Sequence, residues 1–329
     1  MRKLIAKLSD GGRLRYTPTQ LWYAAARNRT PKGGVAYGCV AAFLVVLTSF
    51  ILLVVSGASG FDPEVVRPAV VVGMSLLALA LLLTVRGSRR AKRTGTVNVP
   101  MSLDRFRTSV IDRWTAVHSR PIGLGDEGSV PFPVRPDDGT PRLVLLCPDA
   151  AVLACLALNG VHTTHSVALA QSMDQLGNIS TGSTGSTGST DSTGSTRSTG
   201  ADGAGVVGIV LHDASPAGLA FASAARAALG ERAVVAGMLP RTVMDKDNAV
   251  RLRKPLARGD LDAIRSSSSA LTAAEADWLT RGWWSPLAAV PPVKLLAVVA
   301  RAVDRAEGLA DPDRGHAQRV GFLTWPTAS

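Results

Sequence analysis

Two uncharged apolar runs, parted by a short turn, constrain this chain more than any other feature. VAYGCVAAFLVVLTSFILLVVSG, residues 35–57, carries no charged side chain over 23 residues, and PAVVVGMSLLALALLLTV, residues 68–85, none over 18. At ~1.5 Å per helical residue the first is long enough to cross a hydrocarbon core of ~30 Å. Pro68 suits the first turn of a helix, where a missing N–H is not felt. The pair reads as a transmembrane helical hairpin, about 35–57 and 66–85, within a segment 35–93. A signal peptide is a poor reading of the first run, because both the preceding segment and the run itself are too long. A buried core helix is the bland alternative for the second.

Charge orients the hairpin. Of the net +11, residues 1–34 supply eight basic side chains against Asp10 alone, and RGSRRAKR (86–93) supplies five. The turn 58–67 is net −1, while residues 94–329 balance 22 basic against 22 acidic side chains. The positive-inside rule then places both termini in the cytoplasm of a multi-pass cell-membrane protein. The basic arm 1–34 and the 86–93 cluster are suited to anionic lipid headgroups, at about 1 kcal/mol per charge near the surface. Because the basicity flanks the membrane, the folded part lacks the positive excess of a nucleic-acid binder, and no nucleic acid is expected as a partner. Small residues four apart, Gly34, Gly38 and Ala42 in one run and Ala69 and Gly73 in the other, allow close helix approach. That approach serves either the hairpin itself or a homodimer. Neither run holds an ionisable residue, which suits an anchor rather than a channel or carrier.

Residues 94–329 read as one cytoplasmic α/β domain. SLDRFRTSVIDRWTAVH (102–118) spaces Leu103, Phe106, Val110, Trp114 and Val117 along one helical face behind the N-cap Ser102. A Pro/Gly-rich loop, 121–141, follows. RLVLLC (142–147) is a continuous apolar run of the kind found in buried parallel strands. Residues 150–158 are a helix stopped by Asn159-Gly160, and a further β-like segment begins near Val161. The pattern recurs as VVGIVL (206–211), HDASP, a helix over 217–229 capped by Gly230, and RAVVAGML (232–239). Strand–turn–helix–strand units of this kind build parallel sheets of Rossmann-like character with right-handed crossovers.

Between the blocks lies GNISTGSTGSTGSTDSTGSTRSTGADGAG, 177–205. This tract reads as a disordered insertion in one domain, because neither block alone has enough elements to bury a core. A linker between two domains is the alternative. Toward the C terminus, Thr272 and Glu275 form a capping-box pattern opening a helix toward Trp283 and Trp284. After Pro291-Pro292, a helix carries Val293, Leu296, Val299, Val303 and Ala306 on one stripe, and Lys294, Arg301, Asp304 and Arg305 exclude it from a membrane.

Chemistry is sparse. Ligands on parallel sheets gather beyond the carboxyl ends of the strands, where this chain places Cys147-Pro148-Asp149 and His212-Asp213-Ala214-Ser215-Pro216. His212 and Asp213 are the candidate acid–base pair. Asp149 and Ser215 are candidate ligand-binding residues that also suit helix capping, Ser215 with proline at the first helical position. Arg251, Arg253 and Lys254, in RLRKPLAR, are candidates for holding a phosphate or a lipid headgroup. His162 and His165 lack a third ligand, so no metal is assigned, and no cofactor motif of the GxGxxG or GxxxxGK kind occurs. Cys39, Cys147 and Cys155 show no paired spacing and read as reduced thiols.

LVLLCPDAAVLACLALNGV and the later VVGIVLHDASPAGLAFASAARAAL, together covering about 142–240, resemble the toprim fold of topoisomerases and primases. That resemblance implies magnesium held by a Glu ending the first strand and an Asp-x-Asp ending a later one. This chain has Cys147 at the first position and His212-Asp213-Ala214 at the second, so the acidic set is mostly missing. With seven Lys among 36 basic residues and abundant Ala, the composition also resembles that of actinobacterial proteins, here of a bacterial two-pass membrane protein. The expected function is a membrane-anchored α/β binding or scaffold module for a protein partner or a small ligand. The alternative is a nucleotide- or phosphoester-acting enzyme at the inner face of the membrane.

Overall fold

The computed structural model describes residues 1–29, 101–136, 141–180, 206–246 and 249–310. Both apolar runs, the 86–93 cluster and residues 181–205 of the Ser/Thr/Gly tract lie outside the described residues. Among the described residues no helix is long and apolar enough to cross a membrane. The chain divides into two compact units, one of Met1–Ala26 with Val99–Ser329 and one of Arg27–Asn98.

The N-terminal residues, expected as a basic arm over 1–34, are folded into the first unit as far as residue 26. Helix α1 (Arg2–Leu8) and helix α2 (Pro18–Arg29) flank a turn. Thr17 and Gln20 bond reciprocally, each side chain accepting from the other's backbone N–H, so the start of α2 is a capping box. Ile5, Leu8, Tyr16, Leu21 and Ala24 pack on Phe106, Ile111 and Leu124. The interleaved Lys and Arg hide the α1 part of this set, whereas TPTQLWYAAARN (17–28) reads as a short helix with Trp22 and Tyr23 either at a membrane interface or packed on the folded domain, and the structure packs Trp22 on this core.

The next helix, α3 (103–118), consists of α-helical Leu103–Phe106, a π-helical stretch Arg107–Asp112 and α-helical Arg113–His118. Its cap is Ser102, whose hydroxyl accepts from the Arg105 N–H. The wide turn brings Ile111 fully inward beside Phe106, while Val110 and Trp114 of the expected stripe pack there partly buried and Val117 is 73% exposed.

The sheet is built from β1 (Leu143–Leu146), β2 (Val167–Ala170), β3 (Val207–Val210) and β4 (Ala233–Val235). All pairings are parallel, in the order β2-β1-β3-β4. Thus strands from both sides of the tract share one sheet. After β1 comes α4 (Ala150–Leu158), then α5 (Val161–Thr164), a short helix where the sequence suggested the start of a strand. Gly160 in the left-handed region (φ 70°) turns the chain between them. After β2 comes α6 (Met173–Ser180). Residues 177–180, expected as the start of the disordered tract, are its last half, because Met173, Leu176 and Ile179 fall on one face and Ile179 is buried. After β3 comes α7 (Pro216–Leu229).

Val144, Leu146, Ala168, Ala170 and Val210 form one face of the sheet, against Ile179 of α6 and Ala222, Ala225 and Leu229 of α7. Leu143, Leu145, Val167, Leu169 and Ile209 point to the opposite face and are also buried.

The chain continues through β5 (Leu252–Arg253), α8 (Arg258–Ser266), α9 (Ala273–Thr280), β6 (Trp283–Trp284) and α10 (Pro292–Ala310). Since α7 occupies the first face over β3 and β4, α10, which lies along β1, β3 and β4, covers the second. It buries Leu295, Val299, Ala302, Val303 and Ala306, whereas Val293 of the expected stripe is exposed. Trp283 and Trp284 form an antiparallel ribbon with β5, not a helix end, and Ser285 bridges to Ala214 beyond β3.

Candidate functional site

The strand order reverses direction between β1 and β3: β2 lies on one side of β1, whereas β3 and β4 lie on the other. Beyond the carboxyl ends of such a strand pair the two following helices diverge and leave a crevice. Here the crevice is flanked by the segments 147–149 and 211–215, the N-termini of α4 and α7, and the ribbon joined to Ala214.

Asp149 caps α4. Its Oδ1 accepts from the N–H of Ala151 at 3.0 Å and of Val152 at 3.4 Å. Ser215 caps α7: its Oγ accepts from the Gly218 N–H at 3.0 Å and donates to Asp213 Oδ1 at 2.6 Å. Asp213 lies so close to α7 that a Cβ on Gly218 would stand 2.3 Å from its Oδ1, which requires glycine there.

Burial pushes the Asp213 carboxyl up, opposed by the Ser215 hydrogen bond and the charge of Lys254. Burial also pushes up Asp149, against its two backbone N–H donors, and the charges of Asp213 and Glu127 add to the rise. Tyr23 of α2 is raised to about 12, by burial first and then by the charges of Asp149 and Asp213. Tyr23 is therefore part of this crest, a placement that nothing local in TPTQLWYAAARN announces.

His212 does not join the group as an acid–base partner. It is 2% exposed, and its ring lies against Gly237 in the segment after β4. Its Nδ1 is 2.9 Å from the Asp213 carbonyl, which only accepts, so Nδ1 carries the proton. Burial lowers its pKa, with the charge of Arg226 adding to the effect and the carbonyl opposing it. A neutral core histidine results.

The basic candidates divide likewise. Arg251 is buried and donates to the Met244 carbonyl. Arg253 and Lys254 instead wall a pocket of about 460 Å³, formed by residues 253–256 on one side and 280–282 on the other. Arg281 and Gly282 complete the wall; the sequence reading missed both, because it ran the preceding helix through them. Gly282 sits at φ 80°, and a Cβ on it would stand 2.2 Å from the Lys254 carbonyl oxygen. The Lys254 N–H donates to the Gly282 carbonyl at 2.9 Å, continuing the ribbon.

The acidic set implied by the toprim resemblance is not assembled. Cys147 is fully buried, and burial raises its thiol far above the ordinary range. Asp149 spends one oxygen on capping, and Ala214 has no ligand atom on its side chain. Among the described residues no group of three or more His, Cys, Asp or Glu is placed to hold a metal ion. The residues at these positions do not fit a magnesium centre. Comparison with protein-family models, with curated proteins and with solved structures finds no match for this chain.

Proposed function

We propose that this chain is a membrane-tethered α/β binding module that takes a small ligand at the carboxyl edge of its sheet. The tether is the pair of uncharged runs 35–57 and 68–85, with both termini on the cytoplasmic side. One observation carries the binding reading: the polar residues of the crest have structural duties. Asp149 and Ser215 cap helices, and the His212 ring is packed on Gly237. A preformed pocket lies beside them, on the ribbon that Ser285 joins to Ala214.

The alternative, an enzyme acting on a nucleotide or phosphoester, is favoured by a different observation. Burial raises both Asp149 and Asp213, the charge of Asp213 adds to the rise at Asp149 across the switch point, and Tyr23 feels both, which suits groups that move protons.

One experiment separates the two readings. The full-length protein, held in phosphatidylcholine discs, is incubated with a small-molecule extract, and both the retained fraction and the remaining pool are followed by mass spectrometry. The binding reading expects a compound retained chemically unchanged. A compound consumed with time by the native protein, and spared by Asp213→Asn, overturns it in favour of the enzyme. A protein that retains nothing and changes nothing is not a small-molecule binder.

A further inference from the structure

The pocket on the β5–β6 ribbon has a chemistry of its own. Three of its wall residues are cationic, Arg253, Lys254 and Arg281, and no acidic side chain is part of the wall. Their existing partners differ. Arg281 is held by Asp277 at 2.7 Å, on the turn of helix that precedes it. Lys254 has a long pairing with Asp260, at 3.9 Å, and its charge also reaches Asp213. Arg253 makes no ion pair with a carboxylate among the described residues. Its Nε donates to the Arg281 carbonyl at 3.1 Å, and its guanidinium lies over the Trp283 ring, 5.8 Å from the centroid. These two contacts restrain the guanidinium without adding a counter-charge.

A planar guanidinium fork beside an ammonium that lacks a close counter-charge is a suitable receptor for a doubly charged group with three acceptor oxygens. The volume of about 460 Å³ lies within the small-molecule range and exceeds what a bare anion needs, and Pro255 and Leu256 give part of the wall an apolar character. We propose that this pocket binds a phosphate monoester, with Arg253 and Lys254 holding the phosphate and Arg281 and the Gly282 turn shaping the rim. The inference rests on the binding reading above and specifies its ligand class. The phosphate belongs either to a soluble ester or to a monoester lipid headgroup.

Melting of the full-length protein in phosphatidylcholine discs distinguishes these sources. One arm titrates glycerol 3-phosphate into the buffer. The other replaces part of the phosphatidylcholine with phosphatidate, with phosphatidylglycerol, an anionic diester, as the control. Melting without ligand is recorded first for each variant, and Lys254→Gln is used in parallel should Arg253→Gln fail to fold. Stabilisation by glycerol 3-phosphate identifies a soluble ester, and stabilisation by phosphatidate but not phosphatidylglycerol identifies a headgroup. Either supports the proposal if Arg253→Gln weakens the response about tenfold or more while Arg258→Gln, an exposed cation outside the wall, leaves it unchanged. The proposal is overturned if neither probe stabilises, if Arg253→Gln responds like the native protein, or if Arg258→Gln is as damaging. A compound retained from the extract that binds Arg253→Gln undiminished would sink this inference while leaving the broader binding reading intact.

Discussion

The imidazole of His212 rests directly on the α-carbon of Gly237, with no room for a methyl group between them. A Cβ at Gly237 would stand 1.9 Å from the ring's Cδ2 and 2.1 Å from its Nε2. The ring is held from its other side by the Asp213 carbonyl, so it cannot swing clear. Gly237→Ala should therefore lower stability by about 1–3 kcal/mol, the usual range for overfilling a packed site. In urea melts, combining it with His212→Ala should cost less than the sum of the two single changes, because the clash is removed with the ring. Strict additivity would show that the contact is looser than described.

Asp213→Asn should stabilise the protein at neutral pH. The native carboxyl titrates above its ordinary value of 3.8 because burial disfavours its charge, so the native state holds its proton more tightly than the unfolded chain. Its contribution is thus most favourable below pH 3.8 and is lost as pH rises through the raised native value. The amide keeps the oxygen that accepts from Ser215 and removes the buried charge. The gain in melting temperature should be present at pH 7 and shrink toward pH 4. A gain independent of pH would mean that burial of the charge is not its source.

Ser215→Ala removes an acceptor and a donor together. It leaves the Gly218 N–H without its cap and Asp213 without its hydroxyl donor. About 1 kcal/mol of stability should be lost, and the Asp213 carboxyl should titrate still higher, as followed by its carbon chemical shift. An unshifted carboxyl would show that the hydroxyl does not donate to it.

Glu275 behaves in the opposite sense to Asp213. It is fully buried, yet Thr272 and Arg241 each donate to it from backbone and side chain, at 2.8–3.0 Å. Burial alone would raise its pKa; the hydrogen bonds outweigh burial, and the group titrates below its ordinary 4.5. Its contribution is present above that value and is lost as pH falls through the lowered native one. Glu275→Ala should cost about 1.5–3 kcal/mol at pH 7, and the difference from the native protein should narrow in acid. Urea melts at the two pH values measure both.

Local signals carried the sheet domain well. The runs 142–147 and 206–211 each contain a strand, Asp149 and Ser215 cap the helices that follow, and the Thr272–Glu275 box forms. The misreadings have physical causes. The π-helical stretch in α3 breaks the 3.6-residue period on which a stripe is judged, so Val117 was placed inward. Residues 1–26 reach their partners across long separations, as when the Arg15 N–H meets Asn159 Oδ1 at 2.9 Å. The site divided along the same line. Arg253 and Lys254 lay within one basic cluster, whereas Tyr23, Arg281 and Gly282 come from distant elements that only the fold brings beside them.

The division of the chain into units has a topological consequence. The described residues before 27 and after 98 share one folded body. Both stretches therefore lie on the same face of any bilayer, a constraint that holds without any appeal to charge. A lone passage by 35–57 would part Tyr16 and Leu21 from Phe106 and Ile111, and proteolytic removal of the leading segment would strip the same core of half its side chains.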